Sequence, residues 1–286
     1  MQKKRSGINI IIFIILILLT LLFIFPIVFV VLNSFKGRLF ISTEPFALLT
    51  SKSFVGLQNY IDGIEQTGFF EGMKWSLIIT VGSVVLIIVC TSMTAYWITR
   101  VKCKFSSILY YAFVFSMIVP FQMVMFTMTS LAEKLNMRNP IGMIILYLGF
   151  GAGMSVFMFS GFVKAVPLEI EEAAMIDGCS PLQTYFKVVF PILKPTAVTV
   201  AILNAMWIWN DYLLPYLIVG LTSEYKTIPV RVQYLIGSYG NFDMGVMMGV
   251  LVLSILPIVI FYAFCQKFII EGVVAGAVKG LSLIHI

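Results

Sequence analysis

Pro167-Leu168-Glu169-Ile170-Glu171-Glu172-Ala173-Ala174-Met175-Ile176-Asp177-Gly178, running on through Ser180-Pro181 to Pro191, is a polar island in a very apolar chain. Pro167 suits the first position of a helix, where its missing N–H would have no partner anyway. Glu169, Glu171 and Glu172 follow in the first turns, at the positive end of the helix dipole. Ala173 and Ala174 favour helix and carry no bulk, so another surface can come close. Asp177-Gly178 ends the helix, because glycine accepts the left-handed conformation that closes one. Ser180-Pro181 opens a second helix, with Leu182, Tyr185, Phe186 and Val189 at helical spacing. The stretch reads as helix, tight turn, helix.

The surrounding chain is built for lipid. Of 286 residues, 60% are hydrophobic and 11% charged, and the mean hydropathy is +1.02. A soluble domain carries roughly a quarter charged residues. A spanning helix needs about 20 apolar residues. Six runs meet that need: 8–32, 75–98, 108–131, 141–162, 195–217 and 244–268. The expected fold class is all-α, a polytopic membrane protein with six transmembrane helices. Pro120 should kink the third span by removing one backbone bond, and Gln122 follows it. Gly142, Gly149, Gly151, Gly153 and Gly161 should let the fourth span pack closely. The fifth span carries Asn204, Trp207, Trp209, Asn210 and Asp211. Counted from Lys194, Asp211 climbs roughly 25 Å, near the outer edge of an apolar layer about 30 Å thick.

Basic residues orient the chain. Lys3, Lys4 and Arg5 precede the first span, and Arg100, Lys102 and Lys104 follow the second with no acid among them. Lysine and arginine mark cytoplasmic loops, so both termini and the island are expected on the cytoplasmic side of the membrane. The net charge of +6 is used up by this bias and calls for no nucleic acid. The long polar stretch 33–73 is then external. Three parts follow: residues 1–72 as first helix and external segment, 73–280 as core with the island's loop at 164–194, and 281–286 as a tail. That tail, Leu-Ser-Leu-Ile-His-Ile, resembles a translated adaptor and is read as non-native. It holds the single histidine, His285. Cys90, Cys103, Cys179 and Cys265 have no metal-site spacing and read as free thiols.

Glu172-Ala173-Ala174, Gly178, Val188, Phe190 and Pro191 resemble the cytoplasmic "EAA" loop of binding-protein-dependent ABC importer permeases, with Val188 and Phe190 standing where isoleucine and leucine are usual. Trp209-Asn210-Asp211-Tyr212-Leu213-Leu214-Pro215, Thr227-Ile228-Pro229-Val230 and Gly272 to Gly280 resemble stretches of the smaller permease subunit of maltose-type importers. The resemblance implies the type I ABC importer transmembrane fold. It implies that residues 167–177 form a coupling helix docked in a cleft of an ATP-binding subunit. Glu171 and Glu172 would make polar contacts there, Ala173, Ala174 and Met175 would fit the cleft, and Asp177, Gly178 and Pro191 would shape the hairpin. The implied partners are ABC ATP-binding subunits, a second homologous permease, an extracytoplasmic sugar-binding protein and the lipid membrane. ATP and Mg would sit in the partner subunit, with no cofactor on this chain.

Gln122, Asn204, Asn210 and Asp211 are candidates for a sugar path, since sugars need hydrogen-bond partners and aromatic faces. Trp207 and Trp209 suit interfacial anchors equally well. There is no Gly-rich loop ending in Gly-Lys-Ser/Thr and no catalytic constellation, so a non-catalytic permease is expected. An importer permease for amino acids, peptides or anions is the alternative. A self-contained secondary transporter would call for buried ionisable residues and inverted repeats, and the sequence shows neither.

Overall fold

The structure, a computed structural model, describes the backbone over residues 3–220, 224–237 and 243–281, and side chains between residues 9 and 267 apart from a few near 236. The described residues are helical throughout, with one isolated antiparallel bridge between Lys36 and Phe54. The chain divides into two compact units. One is Met1–Phe70 with Arg231–Pro257; the other is Glu71–Val230 with Ile258–Ile286.

In the first unit, α1 (Lys3–Ser34) exposes its apolar side chains over most of its length. A bilayer is the solvent in which such a surface is stable. The polar stretch after α1 folds into α2 (Arg38–Thr43) and α3 (Gln58–Thr67). Lys36 is buried there, and its ammonium donates to the carbonyls of Glu44 and Pro45 at 3.1 and 3.2 Å. Asn59 donates to the carbonyls of Ser34 and Lys36, which ties α3 to the end of α1.

The second unit holds most of α4 (Phe69–Arg100), then α5 (Lys104–Ser116), α6 (Phe121–Lys134), α7 (Pro140–Val163), α8 (Leu168–Ile176), α9 (Pro181–Thr184) and α10 (Phe190–Asn210). A π-helical turn, Tyr185–Val189, joins α9 to α10. Beyond α10 come α11 (Leu213–Pro215) and a π-helical turn at Tyr216–Gly220. Two helices end the described chain: α12 (Ile228–Gly237) and α13 (Met244–Leu281). Ile87, Tyr147, Val156, Phe159, Leu193 and Val200 are among the residues at the centre of its core.

Among the described residues, five helical stretches are long and apolar enough to cross a membrane, and a sixth crossing is formed only if α5 and α6 count as one. Those two meet at 107°. The sequence reading of one kinked helix over 108–131 is corrected here. Pro120 is the N-cap of α6, with extended ψ, so the break is a loop at 117–120 rather than a bend. Each half is about 20 Å long, too short to span alone.

The fifth span is corrected too. The sequence places its start near Pro195 and its end at 217, whereas the helical stretch runs unbroken from Pro181 to Asn210. Pro191 removes the donor that would bond the Lys187 carbonyl in α register. The wider π turn ends just before it, with the Phe190 N–H bonded to the Tyr185 carbonyl. The α7 glycines do allow close approach. A Cβ on Gly153 would lie 2.8 Å from the Phe113 carbonyl oxygen on α5, and one on Gly151 would lie 2.7 Å from Ile87 on α4. Gly149 and Gly161 face open space.

Candidate functional site

The polar island forms the predicted hairpin. Pro167 is the N-cap of α8 and Asp177 its C-cap. Gly178 has φ +86°. Its N–H bonds the Met175 carbonyl, and the Cys179 N–H bonds the Ala174 carbonyl, both at 3.0 Å. This is the paired bonding of a Schellman motif, which satisfies the last carbonyls of the helix. Ser180 then caps α9 in a reciprocal box with Gln183, so the second helix starts one residue after the turn closes.

The hairpin has an inner and an outer face. Glu171 and Ala174 are buried; Glu172, Ala173, Met175, Ile176, Asp177 and Gly178 are exposed. Glu171 is 1% exposed, whereas Ile176 is 85% exposed. Glu171 and Ala174, both expected at the partner's cleft, lie on the inner face of this chain. Both point into the chain, three residues apart and so on one helical face. Pro191, on the second helix, is exposed.

Glu171 is held by the end of α4. Arg100 donates from Nε at 2.9 Å and from Nη2 at 2.6 Å to Glu171 Oε1, and Nη2 also donates to the Val166 carbonyl at 2.9 Å. Tyr96 Oη donates to Glu171 Oε2 at 2.8 Å. Both carboxylate oxygens thus have donors, the condition under which a buried charge is tolerated. One turn earlier, Ser92 Oγ and Tyr185 Oη lie 2.6 Å apart, and the Tyr96 and Tyr185 rings are 5.2 Å apart. Sequence reasoning missed Tyr96 and Arg100 as part of this site. Their signal was the four-residue spacing of Ser92, Tyr96 and Arg100, which places them on one face of α4.

Beside the hairpin, Cys103 caps α5, its sulfur accepting from the Ser106 N–H at 3.3 Å. That backbone N–H, aided by the Ser106 hydroxyl, lowers the pKa of this exposed thiol. All four cysteines are free thiols. Among the described residues, no group of three or more histidine, cysteine or acidic side chains could hold a metal ion.

The sugar-path candidates do not form one cluster. Asn204 is buried, donating to Ser155 Oγ on α7 at 3.2 Å and to the Val200 carbonyl at 2.9 Å. It fastens α10 to α7 and is withdrawn from any open surface. Asp211 is half-buried. It accepts from Tyr147 Oη at 3.0 Å and from the Leu213 N–H at 3.0 Å, so it caps the turn after α10. Gln122 and Asn210 are exposed, and Asn210 donates to the Met206 carbonyl. Trp209 is buried, while Trp207 is partly exposed with its edge against the Tyr147 ring.

A family model described as the binding-protein-dependent transport system inner membrane component matches residues 87–273, more than half of the chain. The chain belongs to this family. The permease is 39% identical over 264 residues to a probable starch degradation products transport system permease protein, AmyC, of Thermoanaerobacterium thermosulfurigenes, covering 92% of this chain and 94% of that one. It is 36% identical to the multiple sugar-binding transport system permease protein MsmG of Streptococcus mutans, covering 91% and 93%. Its fold matches a solved bacterial ABC transporter that imports the acidic polysaccharide alginate. The TM-score is 0.79 at 20% identity, over 93% of this chain and 98% of that one. The permease therefore has the ABC importer transmembrane fold, and the matched stretch contains the whole hairpin.

Proposed function

We propose that this permease is the translocation subunit of an ATP-driven sugar importer, and that the hairpin at 164–194 couples it to an ATP-binding subunit. The observation that carries the reading is the two-sided character of α8. Glu171 and Ala174 bind it to the chain, while Glu172, Ala173, Met175 and Ile176 form a mixed acidic and apolar face open to a partner. A helix with 85% of Ile176 in the open, at the border of a membrane, is shaped for a protein surface.

ATP binding closes the paired ATP-binding subunits, which hold the nucleotide and Mg, and moves their clefts. The docked helix carries the spans between inward-open and outward-open states. A second homologous permease completes the pathway, and an extracytoplasmic binding protein delivers substrate. The N-terminus, the hairpin and the C-terminal helix face the cytoplasm in this reading, which the basic residues around Lys102 support. Sugar as substrate rests on the relatives, which are named for starch products and multiple sugars. Gln122 and Asn210 are the candidates for its path.

The test is uptake by proteoliposomes holding the assembled importer. Radiolabelled maltotriose, raffinose and arabinotriose are compared with a panel of amino acids and dipeptides. At least one sugar should enter, only with internal ATP and external binding protein. Entry of an amino acid or dipeptide alone would overturn the substrate class. ATP-independent entry would overturn the coupling.

A further inference from the structure

Ser92, Tyr96 and Arg100 stand one turn apart on one face of α4, and between them they engage the entry, the first helix and the second helix of the hairpin. Arg100 reaches the entry, at the Val166 carbonyl, and the first helix, at Glu171. Tyr96 reaches Glu171 as well. Ser92 reaches the second helix at Tyr185, in the π-helical turn. That turn shifts the register by which side chains leave the helix, and it lies where Tyr185 packs against Tyr96. An exposed ion pair would let the hairpin swing freely. This one is buried on the Glu171 side, so pulling α8 away from α4 would strand a charge without a partner.

We propose that Arg100, Tyr96 and Glu171 are positioning residues that clamp the hairpin to the second span. The displacement of α8 is thereby delivered to α4 as well as along the continuous helix into α10. Of the two adjacent glutamates, Glu172 faces the docking partner and Glu171 works from inside. The proposal rests on the docking reading above and adds the route by which motion leaves the hairpin.

The test places spin labels at Lys102→Cys and Glu169→Cys, both exposed and both outside the docking face, in a chain whose four native cysteines are serine. The full importer, in nanodiscs, is measured without nucleotide and trapped with ATP. The label distance should be narrow and the same in both states. In Arg100→Ala and in Glu171→Gln it should broaden and change with nucleotide, while the ATP-binding subunits still co-purify and uptake falls about tenfold or more, within the usual range of coupling energies. Arg100→Lys, which keeps a charge, should recover part of the uptake. Tyr96→Phe serves should Arg100→Ala fail to insert. A distance that stays narrow in the variants, or one that moves with ATP in the parent, would overturn the clamp. So would variants that merely lose the ATP-binding subunits, since the clamp would then only shape the docking face. A parent chain that never co-purifies with them would overturn the docking reading itself.

Discussion

Arg100 and Glu171, 71 residues apart in sequence, are joined by two charge-assisted hydrogen bonds of 2.9 and 2.6 Å, with the carboxylate sealed from solvent. Removing one partner leaves the other charge buried and unpaired, at a cost of about 3–5 kcal/mol. Arg100→Met should therefore lower the thermal midpoint of the purified permease clearly. Arg100→Met with Glu171→Gln should recover much of the loss, because neither charge is then stranded. The comparison of single and double variants measures the pair directly.

Gly178 turns the hairpin at φ +86°, and a Cβ built there meets nothing within 4 Å. The cost of a side chain is thus backbone strain alone, about 1–2 kcal/mol. Gly178→Val should leave membrane insertion intact and abolish transport-coupled ATP hydrolysis. Gly178→Asn should be milder, since asparagine tolerates this conformation. Hydrolysis by the reconstituted importer, with and without loaded binding protein, reads the difference.

Glu172 faces outward from the hairpin. Glu172→Lys reverses the charge of the open face without touching the clamp. It should abolish stimulated hydrolysis while leaving the unfolding free energy within about 0.5 kcal/mol of the parent, as for a surface change. Glu171→Gln should lower the midpoint instead.

Close packing along α7 can be read from two of its glycines. Gly153→Ala sets a methyl against the Phe113 carbonyl oxygen and Ser116 Oγ, which would lie 2.8 and 2.6 Å away. Overpacking of this kind costs about 1–3 kcal/mol. Gly149→Ala meets open space and should be neutral or slightly stabilising, since alanine favours helix. Thermal unfolding of the two variants checks the contrast.

Cys103 is the exposed thiol of the four, and the Ser106 N–H and hydroxyl favour its thiolate. A lowered pKa means that the reactive form persists to lower pH than in an ordinary thiol. Maleimide should label Cys103 first, and its labelling should fall off at a lower pH than that of an ordinary free thiol in a short peptide. In sealed inside-out vesicles it should label, and in right-side-out vesicles it should not.

Much of the hairpin was legible because its signals are local. Asp177-Gly178 and Ser180-Pro181 dictate a turn and a cap whatever lies around them. Which glutamate turns inward was not legible. Glu171 and Glu172 are neighbours on one helix, and the choice between them is made by Arg100 on another. The same holds for Asn204, a polar residue in an apolar helix whose partner, Ser155, lies on α7. Pro120 signalled a disturbance in the third span, but a proline alone cannot distinguish a bend from the 107° break that the loop at 117–120 makes. Pro195 suggested the start of the fifth span. The π-helical turn at Tyr185–Val189 lets the helix run on through Pro191, and α10 continues through Pro195 as well.

The most direct test of the account is a disulfide crosslink from Ala173→Cys, on the open face of α8, to a cysteine in the cleft of the candidate ATP-binding subunit. The native thiols are first replaced. The account predicts a crosslink whose yield changes with ATP. No crosslink in any nucleotide state, with both proteins folded and present in one membrane, would contradict it.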